Sequence, residues 1–514
     1  MAALITDDFR LFNADNFVES VKDPDNAYYI FVGLPNPVGP EYGRSLDWNQ
    51  DPPAPIDNFS YTRSCYDWMM YGRRITPGNI RRVIRRIDWV KGTRYEQYRD
   101  DYSVFNVSPI TGSTRLYDCN YYVVNSEFRV YICLGNGSTG DNPKGNASED
   151  EPNFVDTEPS AAGSSGDGYI WKYLFTVSPA DVIKFDSTDF ITVPNDWLTT
   201  EAPQIAAVRE SGDSLVNDSQ LKEIYIDKRG AGYAGGVGQE LPIIGDGEGA
   251  RAVIDVSSGK ISNALVAKGG KGYTWGLVDL GSINQSASEA AKLDVIIPPS
   301  RGHGYDIYQE LGTDRVLLYA RFDDSTQDFP IDTQFAQIGL LRNPTISGSD
   351  QIFTENSYTA AESLKILSFN GGVEVGDVIT QTTSEGIAKG YVVSFNQETQ
   401  VLKYIQDRSL YYNPITFDNT DYSGISTEGK KLPFESNLNP VIGDNGFAAS
   451  VDTTFTGSTV VVGGTTIELG VEFTNGVAPS EINKPSGEIL YLDNRPVIPR
   501  NPRQKEDVKI ILEF

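Results

Sequence analysis

The strongly apolar runs of this chain are short, rich in β-branched and aromatic residues, and closed off by glycine, proline or asparagine. AYYIFVG at 27–33 ends on Gly33, YIWKYLFTV at 169–177 follows Gly166-Asp167-Gly168, and FAQIGLL at 335–341 stops before Asn343-Pro344. Runs of this length and make-up, bounded in this way, read as strands. The composition agrees: 28 Tyr and 23 Phe stand against 3 Met, while 49 Gly and 28 Pro supply frequent turns. A chain of 514 residues exceeds one compact core, and its length suggests ~3 domains. The expectation is a multidomain, mainly β protein with a few short helices.

Taken in order, LFNADNFVESV at 11–21 predicts a short amphipathic helix in the first twenty or so residues, capped by Asn13 or Asp15. A Pro- and Asp-rich loop spans 34–58, YDWMMY at 66–71 reads as helical, and Thr76-Pro77-Gly78-Asn79 as a turn. Residues 117–124 and 128–134 read as a hairpin turning at Asn125-Ser126. From 135 to 168 the chain is Gly-, Ser-, Asn-, Asp- and Pro-rich without apolar periodicity, which predicts a long exposed loop. Further strands fall at 317–322, 335–341, 373–380, 390–395, 401–405, within 450–473 around Gly463-Gly464, at 487–492 and at 508–514. The spacing over 360–480 suits a small barrel or sandwich.

An internal repeat lies in 220–300. IYIDKRGAGY at 224–233 matches LVAKGGKGY at 265–273: an apolar strand, then Gly-x-Gly-Tyr. This predicts a repeated β unit with Gly at tight corners and Tyr packed behind. A phosphate-binding loop would need a following Lys-Ser/Thr and a helix, and neither pattern is present.

Seventy acidic against 43 basic residues, net charge −27, disfavour a general nucleic-acid or membrane-surface role. No apolar run approaches the ~20 residues of a membrane span, and the first residues lack the layout of a signal peptide. Cys65, Cys119 and Cys133 are odd in number and without CxxC, as expected of reduced, mostly buried thiols. His303 is the only histidine, which disfavours Ser-His-Asp and Cys-His sites and excludes any two-histidine site within one chain. Flanked by Gly302 and Gly304, it reads as a structural or surface residue. HExxH, GxSxG, Walker and EF-hand patterns are missing. Asp323-Asp324 and Glu149-Asp150-Glu151 read as solvated loop charges, not a glycosidase pair. No catalytic, cofactor-binding or metal-binding residue is assigned, and the chain is expected not to be an enzyme.

The run 81–95, RRVIRRIDWVKGTRY, concentrates Arg81, Arg82, Arg85, Arg86, Lys91 and Arg94 among Val83, Ile84, Ile87, Trp89 and Val90. As a helix it would set the arginine pairs, four apart, on one face. Nucleic acid would want a wider basic field than this island in an acidic chain. Arginines in pairs suit carboxylates, within the chain or across an interface.

The segments 27–33, 83–95, 166–177 and 486–498 (SGEILYLDNRPVI), with the terminal VKIILEF, occur in an order that resembles the gene product eight family of T-even-type phage baseplate wedge proteins. The resemblance covers residues 20–200, a patch at 329–344, and 485–514. It implies a structural subunit of the baseplate wedge of a contractile tail, a homodimer that binds other wedge proteins. The implied location is the virion tail baseplate, after assembly in the host bacterial cytoplasm, with no cofactor, nucleic acid or membrane. The implied fold is multidomain and mainly β, an α+β framework domain with β-sandwich- or barrel-like appended domains. The family is shorter, so the expected organisation is framework at 1–215, a Gly-x-Gly-Tyr repeat insertion at 216–300, framework at 301–349, a barrel or sandwich insertion at 350–480, and returning strands at 481–514. Candidate interface or fold anchors are Arg85, Arg86, Trp89, Arg94, Tyr95, Trp171 and Arg495. The rival reading is a tail-associated glycan-binding or glycan-cleaving protein that uses the β insertions. A third, a nucleic-acid binder, would use residues 81–94.

Overall fold

Gly33 ends the first strand, Tyr28–Gly33, and glycines in left-handed conformations punctuate the chain to its end. The computed structural model describes residues 4–35, 48, 50–284, 287–323, 329–407, 410, 431–501 and 504–514. It is multidomain and mainly β, as expected, with strands far outnumbering short helices. The chain divides into two compact units: Met1–Val18, Arg81–Leu317 and Ile511–Phe514 form one, Glu19–Ile80 and Leu318–Ile510 the other. The chain passes between them at residues 18/19, 80/81, 317/318 and 510/511.

The first unit is built around the antiparallel sheet Tyr122–Val124, Arg129–Asn136 and Tyr169–Thr176. Its core is strongly aromatic, with Tyr95, Tyr121, Tyr122, Tyr131, Tyr169, Trp171, Tyr173 and Trp197 buried together. Rings fill volume with two torsions each, and a buried hydroxyl needs a partner. Backbone carbonyls supply it: Tyr121 donates to Glu310 O at 2.7 Å, Tyr122 to Arg85 O at 2.9 Å and Tyr131 to Phe154 O at 2.6 Å. The hairpin turn is drawn together by Asn125, whose Oδ1 accepts from Glu127 N and Arg129 N, both at 2.9 Å.

In the same unit a second sheet runs in the order Lys260–Lys268, Arg251–Ser257, Gln239–Gly245, Gly276–Val278, beside the pair Ile224–Lys228 and Lys292–Val295. The two Gly-x-Gly-Tyr copies have one conformation. Gly230 and Gly232 sit at φ 63° and 78°, Gly270 and Gly272 at 59° and 76°. In each copy the tyrosine ring folds back over the first glycine. A Cβ on Gly230 would lie 2.6 Å from Tyr233 Cε2, and one on Gly270 2.9 Å from Tyr273 Cε2. Both rings are buried in one core. Gly230→Ala is therefore expected to cost about 2–4 kcal/mol, from left-handed strain plus overpacking. The midpoint of urea unfolding followed by Tyr fluorescence checks this; an unchanged midpoint would show that the corner yields.

The second unit contains the sheet Ser357–Thr359, Met69–Ile75, Tyr28–Gly33, Thr333–Arg342, Glu488–Arg500, in that order. It also contains a closed barrel. Glu362–Asn370 pairs along one edge with Val401–Ile405 and further along the other with Ala448–Val451. The circuit returns through Ile387–Asn396, Val378–Thr382 and Val441–Gly443. A register shift between Ile366 and Ser368 marks the bend at which one strand serves both seams. Leu364, Ile366, Ile379, Val392, Leu402, Val441 and Phe447 fill the interior.

Several local expectations need correction. The N-terminal helix is Asp7–Lys22, so Asn13 and Asp15 lie inside it, while Asp7 and Asp8 favour its first turn electrostatically. The segment 66–71 divides: the helix Phe59–Trp68, capped by Asn58, ends and Met69–Ile75 is a strand. Glu488–Arg500 runs through Asn494-Arg495-Pro496 where a break was expected, because it is the edge strand of its sheet and shifts register there. Residues 36–47 and 49 of the expected loop at 34–58 lie outside the described residues.

Candidate functional site

The first part of the arginine run is a strand and not a helix. Ile80–Arg85 pairs antiparallel with Phe190–Val193, from Arg82 opposite Val193 to Arg85 opposite Phe190. Ile80, Val83 and Ile84 are β-branched and buried, which outweighs the four-residue spacing of the arginines. Each guanidinium then finds a partner inside the chain. Arg81 pairs with Asp181 at 3.0 Å. Arg82, itself buried, pairs with Asp15 and lies 3.9 Å over the Tyr308 ring. Arg85 Nη2 donates to Cys119 O at 2.8 Å and Tyr117 O at 3.3 Å. Arg86 Nε donates to Asp88 Oδ1 at 3.0 Å, and its Nη1 to Asp186 Oδ1 and Ser187 O, both at 3.2 Å.

Beyond the strand, residues 88–95 are clasped by Tyr95. Its hydroxyl donates to Asp88 O at 3.0 Å and accepts from Val90 N at 2.7 Å. Its ring meets Tyr169 and Trp171 edge-on at 6.4 and 5.9 Å, and Trp171 stacks on Tyr169 at 5.3 Å. Trp89 donates from Nε1 to Ser148 Oγ at 2.9 Å, and Arg94, exposed, from Nε to Gly145 O at 3.3 Å. Gly145 and Ser148 belong to the stretch 135–168, expected to be an exposed loop. Residues 135 and 136 complete a strand, and the rest is irregular but tied down. Asn136 Nδ2 donates to Tyr95 O at 2.9 Å, Asn146 Nδ2 to Asp167 O at 2.7 Å, and Asp150 Oδ2 accepts from Ser164 N and Ser165 N. Asn and Asp side chains replace a sheet ladder here.

Six of the seven candidate anchors thus lie on or around one aromatic block of the first unit. Arg495 does not: it is in the second unit, on the edge strand, 59 % exposed and paired with Asp493. Several acids not singled out from the sequence are buried, and Glu96 and Glu310 are the most completely enclosed, each with no exposed surface. Glu96 accepts at Oε1 from Thr111 N at 2.7 Å, Thr111 Oγ1 at 2.8 Å and Ser108 Oγ, and at Oε2 from Asn120 N at 2.7 Å. An acid inside the aromatic run Tyr95-Glu96-Gln97-Tyr98 was the available signal. Glu310 meets His303 Nδ1 at 2.7 Å and accepts from Gly304 N at 2.7 Å. The Tyr98 ring stands edge-on to His303 at 4.8 Å. Glu310 and His303 are both buried, and the pair orders the turn at 302–304. All three cysteines are buried and unpaired.

Lys172, next to Trp171, is fully buried, with Nζ donating to Thr157 O at 2.6 Å and Ser211 Oγ at 3.3 Å. Burial, helped by the Lys222 charge, pushes it down to about 8. Between pH 8 and ~10.4 the folded chain then holds fewer protons than the unfolded one, so this group makes stability rise with pH across that window. Below pH 8 its penalty is constant. Lys172→Met is expected to gain about 1–3 kcal/mol at pH 7 and to flatten the rise. Urea midpoints of both chains from pH 7 to 10 check it, and parallel profiles would refute it.

No family model matches the chain. It is 26 % identical over 221 residues to the baseplate wedge protein gp8 of Enterobacteria phage T4, a match that takes in 37 % of this chain. The chain spans about 60 % of the length of that curated relative. This is partial similarity to a structural protein of a phage baseplate.

Proposed function

We propose that this chain is a structural, non-catalytic subunit of a phage baseplate wedge, holding neighbouring wedge proteins and a second copy of itself in a contractile tail. The observation that carries the reading is the partial similarity to gp8. The physical character of the first unit supports it. Arginines are fixed by internal carboxylates and carbonyls, and tyrosine hydroxyls by backbone oxygens, which suits a part that works by keeping surfaces at set positions. Residues 216–300 and 350–480 are proposed as insertions into a framework shared with the wedge family, reaching further neighbours. The anchors are proposed to act by locking the framework, with Arg94 and Arg495, exposed although each has a partner inside the chain, also placed to meet neighbouring proteins.

The test is location. Particles purified from cells making this chain are labelled with an antibody to it and imaged by electron microscopy. Label at the distal end of the tail is expected, together with tails lacking baseplates when the gene is disrupted. Particles without label, or normal tails after disruption, would overturn the proposal.

A further inference from the structure

The hairpin formed by Gly457–Val462 and Thr465–Phe473 is a two-stranded sheet of its own within the second unit. Its inner half is packed, with Leu469, Val471 and Phe473 buried beside Val401 and Ala478. Towards its tip it is open, with Val461 70 % exposed and Thr465 and Thr466 exposed, and Ser458 and Thr459 on the first strand are exposed as well. A lone ribbon is marginal in water, and exposed edges are ordinarily guarded by charge or proline. From residue 453 to 467 this chain of net charge −27 has no charged residue and no proline.

The tip defines which backbone groups are free. Gly463 and Gly464, at φ 57° and 86°, form a two-residue turn with both φ positive, flanked by Val462 opposite Thr465. The pair flanking such a turn exchanges hydrogen bonds, and pairs then alternate along the ribbon. Val461 (opposite Thr466) and Thr459 (opposite Glu468) therefore direct N–H and C=O away from Thr465–Phe473. Among the described residues no other strand pairs with that edge.

We infer that the outer edge of Gly457–Val462 pairs with the same edge of a second copy, antiparallel about a two-fold axis, joining two hairpins into one four-stranded sheet. An antiparallel edge is self-complementary under such an axis, so one strand supplies both halves of the contact. Charge bears on the same occupant: two copies of a strongly acidic chain repel, and the strand Gly457–Val462 carries no charge of its own, Glu468 and Glu472 lying on the strand behind it, so this edge is where two copies approach at least electrostatic cost. The inference names a surface for the self-association proposed above, but it stands on the arm and does not need a baseplate.

Two short strands bury far less than the ~1,600 Å² of a standard interface, so the dimer is expected to be weak and concentration-dependent. Sedimentation velocity of the purified full chain, from about 1 to 200 µM at about 0.15 M salt, reads it directly. The double variants Thr459→Asp/Val461→Asp and Thr459→Lys/Val461→Lys are each expected to weaken self-association by about tenfold or more, and their mixture to recover a mixed dimer. Val461→Pro, which removes one outward N–H, is expected to weaken it while leaving thermal unfolding as in the parent chain. A chain that stays monomeric throughout, or a dimer indifferent to all three variants, overturns the inference. A monomer still found at the tail tip would sink this inference together with the self-association proposed above and leave the baseplate location standing, whereas an arm-dependent dimer absent from particles would sink only the baseplate reading.

Discussion

Trp171→Ala is expected to lower the unfolding free energy of the first unit by about 3–5 kcal/mol, a large share of the ~5–15 kcal/mol that holds a typical domain folded. The ring has no exposed surface and is wedged between the Tyr169 face and the Tyr95 edge. Truncation removes both contacts and opens a cavity beneath the Tyr95 clasp. Trp171→Phe should be far milder. Trp171 Nε1 is buried without a hydrogen-bond partner among the described residues, so phenylalanine removes an unsatisfied donor while keeping most of the ring. Urea unfolding of both variants, followed by near-UV circular dichroism, separates the outcomes. Equal losses would mean that ring volume is not what matters at this position.

Glu96→Leu is the second large effect, about 3–5 kcal/mol, because one apolar side chain would strand two backbone N–H groups and two hydroxyls. Glu96→Gln keeps an acceptor for Thr111 but turns an amide donor towards Asn120 N, or the reverse, so about 1–2 kcal/mol is expected. The two differ locally as well. In the leucine variant the amides of Thr111 and Asn120 should exchange with deuterium far faster than those of the strand Tyr169–Thr176, since the excursion from 97 to 120 loses its tether. Uniform exchange across both regions would mean that Glu96 is not the tether.

How much of this was legible in the sequence follows from which forces act locally. Strands at 27–33, 169–177 and 401–405 were readable because β-branched and aromatic runs end at turn residues, a property of a few neighbours. The Gly-x-Gly-Tyr corners were readable because the first glycine and the tyrosine ring meet within four residues. The run 80–85 misled because arginine spacing mimics a helix, whereas its conformation is decided by Phe190–Val193, over a hundred residues away. The anchors Tyr95 and Trp171 could be named from ring size, but their meeting depends on a sheet closed by distant segments. Glu96 and Glu310 were missed for the opposite reason. Their spacing to one another and to His303 carries no pattern, and only burial distinguishes them from the chain's many solvated acids.

The interleaving of the two units bears on how the protein is made. On a ribosome neither unit can be finished in turn, because Arg81–Leu317 waits for Ile511–Phe514, and Glu19–Ile80 waits for Leu318–Ile510. Phe17 meets Phe514 at 5.5 Å, and Arg10 Nη1 donates to Phe514 O at 3.2 Å, so the first helix is sealed by residues translated some five hundred positions later. The strands made first must therefore be kept from aggregating throughout synthesis, a load that falls on chaperones. A message cut short before residue 511 yields a chain with both units begun and the first helix without its contacts to Phe514, a product expected to be open to cellular proteases.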